Sequence, residues 1–310
     1  MSTFSFTHSR NESPALVQSD DVIGEESTQP SDMDELNQNS RFPYGYVITI
    51  PIEAKKTANN YAITRRLGQG GFSEVRAGRL ISNKGCRFAI KIVDLQKPKT
   101  QRIGRQAHWE VDLLKQLQNV KYVIKMFESR IVEKDVIFMI LEMGGQSLDS
   151  MPRIKSANGR AVNSNYMRKR WHQCVKCVSQ VHEHEIIHAD IKPGNFLRVG
   201  NVLKIIDFGC ATPLGPLNEA ASKASDVWAL GCTLYWILTG MKIWKEARID
   251  LRKTIITKQV DISAITDVDA NMLLEKIFNS DRRKRPSCEE ILKSKYLTVP
   301  EEGRDNKKTK

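Results

Sequence analysis

The chain has 310 residues, 40% of them hydrophobic and 27% charged, so it is long enough to bury a sizeable core and has the composition of a globular protein. The longest nearly apolar run, 227–240, has 14 residues, which is too few to cross a bilayer, and the first thirty residues contain no signal-peptide pattern. We therefore expect a protein of the cytoplasm, the nucleus or both, with no membrane partner.

Charge is distributed unevenly along the chain, whose formal net charge is +12. Residues 1–41 contain eight acidic and two basic residues, a net charge of −6, and few large apolar side chains, which predicts a disordered acidic tail. The remainder carries +18, with basic clusters at 153–170 and 282–285. A basic nucleic-acid-binding module is one interpretation. No nucleic-acid-binding motif accompanies the clusters, however, so we expect solvated basic surfaces and no nucleic-acid partner.

Strand patterns dominate the first half of the chain beyond this tail. Alternating apolar residues bounded by Gly- and Asn-containing turns predict strands at 44–52, 61–80 and 87–95. A short continuous apolar run at 136–143 is typical of a buried strand.

Helical patterns begin within that half and dominate the second. The segment 104–118 repeats Trp109, Leu113 and Leu117 at the spacing of one helix face. Further helices are predicted at 165–184, 224–240, 270–279 and 287–295.

A strand-rich half followed by a helix-rich half predicts an α+β fold of two lobes. We expect one domain at 42–297, with a small β-rich N-lobe at about 42–143 and a larger helical C-lobe at about 144–297. Residues 298–310 are predicted to form a charged C-terminal tail.

Two patterns invite a zinc interpretation. Residues 184–188 satisfy the HExxH pattern of zinc proteases, and Cys174 and Cys177 form a CxxC pair. The adjacent isoleucines and the Pro-Gly pair at 193–194 predict a helix ending near Glu185, followed by a short strand and a loop. The two histidines would then not share a helix face, and no second Cys or His pair follows the CxxC, so we expect no zinc site.

A glycine-rich segment precedes a lysine on a predicted strand. Gly68 and Gly70 lie between two strand-like runs, which indicates a β-hairpin over phosphates rather than a dinucleotide-binding turn. Lys91 follows Gly70 by 21 residues, enough to finish the hairpin and start the next strand. Glu110, on the predicted helix, is its natural ion-pair partner. The alternative for Lys91 is an exposed lysine at a sheet edge.

An acid, a base and an amide follow within six residues, at Asp190, Lys192 and Asn195. The Pro-Gly pair between them predicts a loop, and an ordinary polar turn is the alternative. Twelve residues after Asn195, an apolar run ends at Asp207-Phe208-Gly209. Together these four ordered motifs resemble the protein kinase signature set, over roughly 61–297.

The resemblance implies that ATP and Mg²⁺ bind between the lobes and that a protein is the substrate. The glycine loop would cover ATP, the lysine would hold its phosphates, the glutamate would hold the lysine, and the segment after strand 136–143 would contact the adenine. The nucleotide-binding residues implied in this way are Gly68, Gly70, Val75, Ala89, Lys91, Glu110, Glu142, Met143 and Leu197.

The resemblance also assigns the reaction chemistry. Asp190 would accept the proton of the substrate hydroxyl, Lys192 would steady the transferring phosphoryl group, and Asn195 and Asp207 would hold Mg²⁺. Within the superfamily, the segment 186–211 is most similar to the monopolar-spindle branch, which is dual-specificity. It implies phosphorylation of Ser and Thr, with Tyr as a further acceptor, in cell-cycle control.

Two departures from the kinase pattern qualify this expectation. Ala189 replaces the arginine that clamps a phosphorylated activation loop, so we expect no control of that kind. Asp226, near the start of a predicted helix, follows Asp207 by only 19 residues, and Glu219 is the expected partner of Arg285. The short segment leaves three alternatives: a functional divergent loop, a nucleotide-binding pseudokinase scaffold, or a transcript that lacks an exon.

Overall fold

The structure is a computed structural model that describes residues 41–52, 57–70, 73–96, 101–132, 135–151, 164–215, 222–243 and 260–298. The tails expected at 1–41 and 298–310 lie outside these ranges, apart from Arg41 and Thr298.

The N-terminal part of the described chain forms a six-stranded sheet of antiparallel neighbours in the order β1-β2-β3-β4-β6-β5. One helix, α1, spans Gln101–Gln116. The strands are β1 Val47–Ile52, β2 Thr57–Gln69, β3 Ser73–Leu80, β4 Arg87–Asp94, β5 Met126–Val132 and β6 Val136–Glu142.

Strand β4 is buried along most of its length. Residues 88–93 are all buried, because β3 and β6 flank the strand and apolar layers cover both of its faces. Strand alternation directs Phe88, Ile90 and Ile92 into an outer cluster, and Val93 into the core that continues into the second lobe. Lys91 therefore points to the side on which the second lobe lies.

Helices form most of the C-terminal part of the described chain. Most residues of α3, Lys223–Thr239, are buried. The helix packs closely on α4, Val268–Ile277, since a Cβ added at Gly231 would lie 2.4 Å from Ile277 Cγ2. The helix begins at a capping box formed by Ser222 and Ser225 and ends at Gly240, where φ is +72°. The helices are α2 Ser164–Glu183, α3 Lys223–Thr239, α4 Val268–Ile277, α5 Cys288–Leu292 and α6 Lys295–Thr298.

Short strands and 3-10 turns connect α2 to α3 and carry the motif residues. Two small sheets pair β10 with β7 and β8 with β9. The strands are β7 Ile186–Ile187, β8 Phe196–Val199, β9 Val202–Ile205 and β10 Thr212–Pro213, with 3-10 turns at Pro193–Asn195 and Phe208–Cys210.

A strand-rich lobe followed by a helical lobe confirms the predicted α+β bilobal architecture. The run 61–80 forms two strands joined at the glycines, as the predicted hairpin requires. The element predictions need two corrections: β5, β8 and β10 are additional strands, and the helix predicted at 287–295 ends at Leu292 and is followed by the separate α6. In the described ranges, no helix has both the length and the apolar character needed to cross a membrane.

Candidate active site

Lys91 lies at the centre of a three-residue ion cluster. Its Nζ is 2.7 Å from Glu110 Oε1 and 2.8 Å from Glu110 Oε2, on helix α1. The same nitrogen is 2.8 Å from Asp207 Oδ1, in the second lobe. Burial alone would lower the pKa of Lys91, but the two carboxylates outweigh it and raise that pKa. The ammonium is therefore charged at neutral pH and links both lobes.

Asp207 is held in an unusual backbone conformation at the entrance to the Phe208–Cys210 turn. Its φ is +64°, in the left-handed region, where an aspartate is among the better tolerated residues. Burial would raise the pKa of Asp207, but the charge and hydrogen bond of Lys91 outweigh it and lower that pKa. The carboxylate, with 46% of its side chain exposed, is thus ionised and accessible from the space between the lobes.

Asp190 is positioned by two donors from its own loop. Lys192 Nζ donates to Asp190 Oδ2 at 2.6 Å, and Asn195 Nδ2 donates to the same oxygen at 2.9 Å. Asn195 Nδ2 also donates to the Asp190 backbone oxygen at 2.7 Å, which closes the loop on itself. Both side-chain donors engage Oδ2 and leave Oδ1 to other partners. Burial would lower the pKa of Lys192, but Asp190 outweighs it and raises that pKa.

A buried carboxylate at the start of α3 holds the same loop from beneath. Asp226 is 1% exposed and accepts hydrogen bonds from the backbone N–H groups of His188, at 2.8 Å, and Ala189, at 2.9 Å. His182 Nε2 is 3.0 Å from Asp226 Oδ2. Ala189 has a φ of +60°, and this strained conformation persists because the neighbouring hydrogen bonds fix it.

Aromatic packing connects this loop to the Asp207 turn and to α1. His188 and Phe208 lie edge to face with ring centroids 5.0 Å apart, and both are fully buried. Leu114, one turn beyond Glu110, belongs to the same buried cluster as Phe208.

The donor types fit the cofactors expected from the sequence. The Asp207 carboxylate is an oxygen ligand of the kind Mg²⁺ prefers, and the Asn195 amide offers its Oδ1 because Nδ2 is engaged by Asp190. The Lys91 ammonium fits a polyphosphate.

Comparison with known protein families decides the identity of this arrangement. The family model described as "Protein kinase domain" matches residues 61–222 and 214–297, which together cover more than half of the chain. The chain belongs to the protein kinase family.

The curated relatives of this kinase include dual-specificity enzymes. It is 26% identical over 276 residues to the mouse Dual specificity protein kinase TTK and 28% identical over 274 residues to the zebrafish Dual specificity protein kinase Ttk, each match covering 77% of this chain. It is 27% identical over 271 residues, 75% of this chain, to the Probable serine/threonine-protein kinase mps1 of Dictyostelium discoideum. The matches cover 31%, 27% and 27% of those proteins, so the kinase spans less than a third of their length.

Several of the nucleotide-binding residues that the sequence predicts lie near Lys91 on β2, β3 and β4. Gly68 pairs with Val75 across β2 and β3, and Gly70 N donates to Ser73 O at 2.7 Å. Val75 in turn lies opposite Lys91 on β4, and Ala89 lies two residues before Lys91 on the same face. The kinase thus brings these residues together on the surface of the sheet that carries Lys91.

The remaining predicted nucleotide-binding residues lie on β8 and at the end of β6, the segment expected to form the hinge between the lobes. Leu197 contacts Gly144 closely, since a Cβ on that glycine would lie 2.1 Å from Leu197 Cδ2. Glu142 N donates to Lys125 O at 2.9 Å, and the Glu142 carboxylate pairs with Lys204 on β9 at 2.5 Å. Met143 follows directly. Their adenine-contacting role stays a prediction.

The HExxH segment has the local structure expected from the sequence. Helix α2 ends at Glu183, and His188 lies beyond β7, at the start of the loop 188–195, which corresponds to the catalytic loop of kinases. His184 Nδ1 is 2.8 Å from Gln180 O, whereas His188 Nε2 is 3.1 Å from Ile206 O. In the part of the chain that the structure describes, no group of three or more His, Cys, Asp or Glu residues is arranged to hold a metal.

Three residues of the site have contacts that the sequence does not predict. No motif assigns a role to Asp226 or to Lys204. Trp109 is treated as an apolar helix position, but its indole Nε1 donates to Ala211 O at 2.8 Å. The expected pairing of Arg285 with Glu219 lies outside the described residues. Within the described residues, Arg285 donates to Ala224 O at 3.0 Å and to Asn279 O at 2.9 Å.

Proposed function

We propose that this kinase transfers the terminal phosphoryl group of ATP to Ser and Thr hydroxyls of protein substrates, with Tyr as a further acceptor. The observation that carries the proposal is the contact of Lys91 with Glu110 and Asp207 at once. Such a contact requires α1 and the Asp207 turn to be in place together, which a protein kinase needs for activity. The names of the dual-specificity relatives support the acceptor range.

The residues of the chain divide the work between them. When bound, ATP supplies the phosphoryl group and Mg²⁺ neutralises charge on it. Lys91 would bind phosphate oxygens, and Asn195 and Asp207 would hold the cation. Asp190 would orient the substrate hydroxyl and accept its proton through Oδ1, while Lys192 fixes the orientation of the Asp190 carboxylate by its 2.6 Å hydrogen bond.

The pseudokinase alternative receives no support from the comparisons, because the relatives are themselves named as kinases. The short segment between Asp207 and Asp226 is its remaining argument, and part of that segment, 216–221, lies outside the described residues.

Transfer of radiolabelled phosphate to a panel of protein substrates tests the proposal. Replacement of the proton acceptor, Asp190→Asn, should lower the rate roughly a hundredfold or more, since general-base catalysis contributes about that factor. Asp112→Asn is the matched control, because Asp112 lies exposed on α1 and pairs only weakly with Lys115 at 3.7 Å. Equal incorporation by the wild type and Asp190→Asn would overturn the proposal, and phosphoamino-acid analysis would show which hydroxyls are modified.

The resemblance to the monopolar-spindle branch supports a further proposal, a role in cell-cycle control from the cytoplasm or nucleus. Cells in which Asp190→Asn replaces the wild type should progress abnormally through mitosis, and imaging of the tagged chain should place it in one of these compartments. Normal mitotic timing in those cells would contradict the role.

A further inference from the structure

The start of the activation segment, 207–215, is attached to the C-lobe by its backbone. Thr212 pairs with Ile187 and Pro213 with Ile186, as strands β10 and β7. Leu214 N donates to the oxygen of Glu185 at 2.7 Å. These bonds fix the segment to the lobe that carries the catalytic loop, but they do not reach α1.

Lys91 binds the first residue of this segment, Asp207, and a side chain of α1 attaches the segment to the same lobe at a second point. Trp109 Nε1 on α1 donates to Ala211 O at 2.8 Å. The accepting residue is itself held in a tight turn, since Ala211 N donates to Phe208 O at 3.0 Å. The turn before Ala211 and strand β10 after it therefore hold the carbonyl that accepts the indole N–H.

Trp109 and Glu110 are consecutive and so point in different directions from α1, about 100° apart around the helix axis. Glu110 reaches Lys91 on β4, and Trp109 reaches the activation segment. The segment also passes beside the carboxylate, because a Cβ on Gly209 would lie 3.8 Å from Glu110 Oε2. Any movement of α1 that withdrew Glu110 from Lys91 would therefore also break the Trp109–Ala211 hydrogen bond.

The link is uncharged, in contrast to the usual phosphate clamp of protein kinases. Ala189 stands where the clamp arginine is expected, and its own N–H is engaged by the buried Asp226. Phosphorylation normally orders an activation loop through arginine–phosphate pairs. The contacts that order the described part of this segment include backbone pairing, the Lys91–Asp207 ion pair and the indole N–H.

We propose that Trp109 is a positioning residue that couples α1 to the activation segment and so keeps Glu110 on Lys91 without phosphorylation of the segment. Its consequence for turnover rests on the proposed kinase activity, whereas its consequence for the order of residues 207–215 does not.

A pair of substitutions separates the hydrogen bond from the bulk of the side chain. Trp109→Phe keeps an aromatic ring but has no donor. Trp109→His is smaller still, yet it can place an N–H at the ring position that Nε1 occupies in tryptophan. His108→Gln is the control on the neighbouring exposed position, whose ring Nδ1 lies 2.7 Å from Gly104 O of its own helix.

Hydrogen exchange of 207–215 and phosphate transfer are measured on the full chain after treatment with a broad-specificity phosphatase. The wild type should keep its activity. Trp109→Phe should speed exchange in the segment and lower kcat by roughly fivefold, the effect of losing one ordinary hydrogen bond. Trp109→His should recover most of both, and His108→Gln should match the wild type.

Two results would overturn the inference: equal behaviour of the Phe and His variants, or loss of wild-type activity on phosphatase treatment. A wild type that transfers no phosphate before or after treatment would instead refute the proposed function. The exchange comparison would still decide the role of the indole in that case.

Discussion

One ammonium group serves two carboxylates in the cleft. Lys91 is 11% exposed as a side chain and Glu110 only 4%, so the pair is largely removed from water, whereas Asp207 is not. Truncation of one partner leaves the other buried and unpaired, which costs more than the pair itself contributes. Loss of Lys91 should therefore lower the free energy of unfolding mainly because it leaves the buried Glu110 unpaired.

Lys91→Met should lower the free energy of unfolding by roughly 3 kcal/mol, because it leaves the buried Glu110 carboxylate without its cation. It should also abolish ATP-dependent stabilisation. The double variant Lys91→Met/Glu110→Gln should recover part of the stability but none of the nucleotide effect. Denaturant unfolding with and without ATP measures both. A double variant no more stable than Lys91→Met would contradict this account.

The lowered pKa of Asp207 predicts a stability change in acid. A carboxylate whose pKa is lower in the folded state stabilises that state fully above its unfolded pKa, and this contribution is lost as pH falls through the folded pKa. The Tm advantage of the wild type over Asp207→Asn should therefore be constant near neutral pH and shrink below the ordinary Asp value of 3.8. Parallel Tm curves down to the acid limit would refute this assignment.

Residues with distinctive motifs could be predicted from the sequence, and residues that bind backbone groups could not. Lys91, Glu110 and Asp207 lie in separate motifs whose chemistry requires them to meet, and the structure joins them. Trp109 is indistinguishable in sequence from an ordinary apolar helix position. Its contact depends on a single nitrogen that reaches a carbonyl 102 residues away.

At the scale of elements, helix α3 does more than fill the core of the second lobe. Its first turn carries Asp226, whose two oxygens accept the N–H groups of His188 and Ala189. The N-terminus of this helix therefore fixes the catalytic loop.

Asp226→Asn should disturb the catalytic loop more than nucleotide binding. An amide replaces one of the two accepting oxygens by a donor, so a backbone N–H of the loop loses its partner in a buried site. We expect kcat to fall about tenfold, as a buried unsatisfied donor costs about 1–3 kcal/mol, with little change in the Kd for ATP. Kinetics and calorimetry measure the two quantities.

Asp267→Asn is the control at another helix start. Asparagine caps α4 through Ala270 N about as well, but the change weakens the ion pair with the buried Arg168 and so tests destabilisation away from the catalytic loop. A control variant as impaired as Asp226→Asn would attribute the loss to general destabilisation.

Elements with a continuous or regularly alternating apolar pattern could be predicted, but a strand whose pattern is interrupted by charged residues could not. Strands β4 and β6 are buried on both faces along most of their length, so their buried residues are apolar apart from Lys91. Strand β5 lies at the sheet edge and includes Glu128 and Arg130, which hide its strand pattern. Tyr61 OH donates to Glu128 Oε2 at 3.0 Å, and Arg130 donates to Thr49 O. These polar side chains are thus held in the strand by contacts with residues far away in sequence.

For the whole molecule, the two-lobed α+β fold could be predicted because composition changes along the chain from strand patterns to helix patterns. Among the contacts between the lobes, the meeting of Lys91 and Asp207 could be predicted from their motifs. The contacts of Trp109 and Glu142 could not, since no motif links either residue to a partner far away in sequence. Lys91 binds Asp207, Trp109 binds Ala211, and Glu142 binds Lys204. The first two lie at the cleft and the third behind it, at the hinge.

The hinge ion pair should couple stability to nucleotide binding. Glu142 and Lys204 are 15% and 17% exposed, and Glu142 Oε1 also accepts Lys125 N at 2.6 Å, so the carboxylate holds both sides of the hinge. Glu142→Gln and Lys204→Met should each lower the free energy of unfolding by about 1 kcal/mol, and the double variant by less than their sum. The Kd for ATP should rise a few-fold in each, because the hinge that would contact adenine is less fixed. Denaturant unfolding and calorimetry of all four proteins complete the cycle, and additive effects on stability would show that the two side chains act independently.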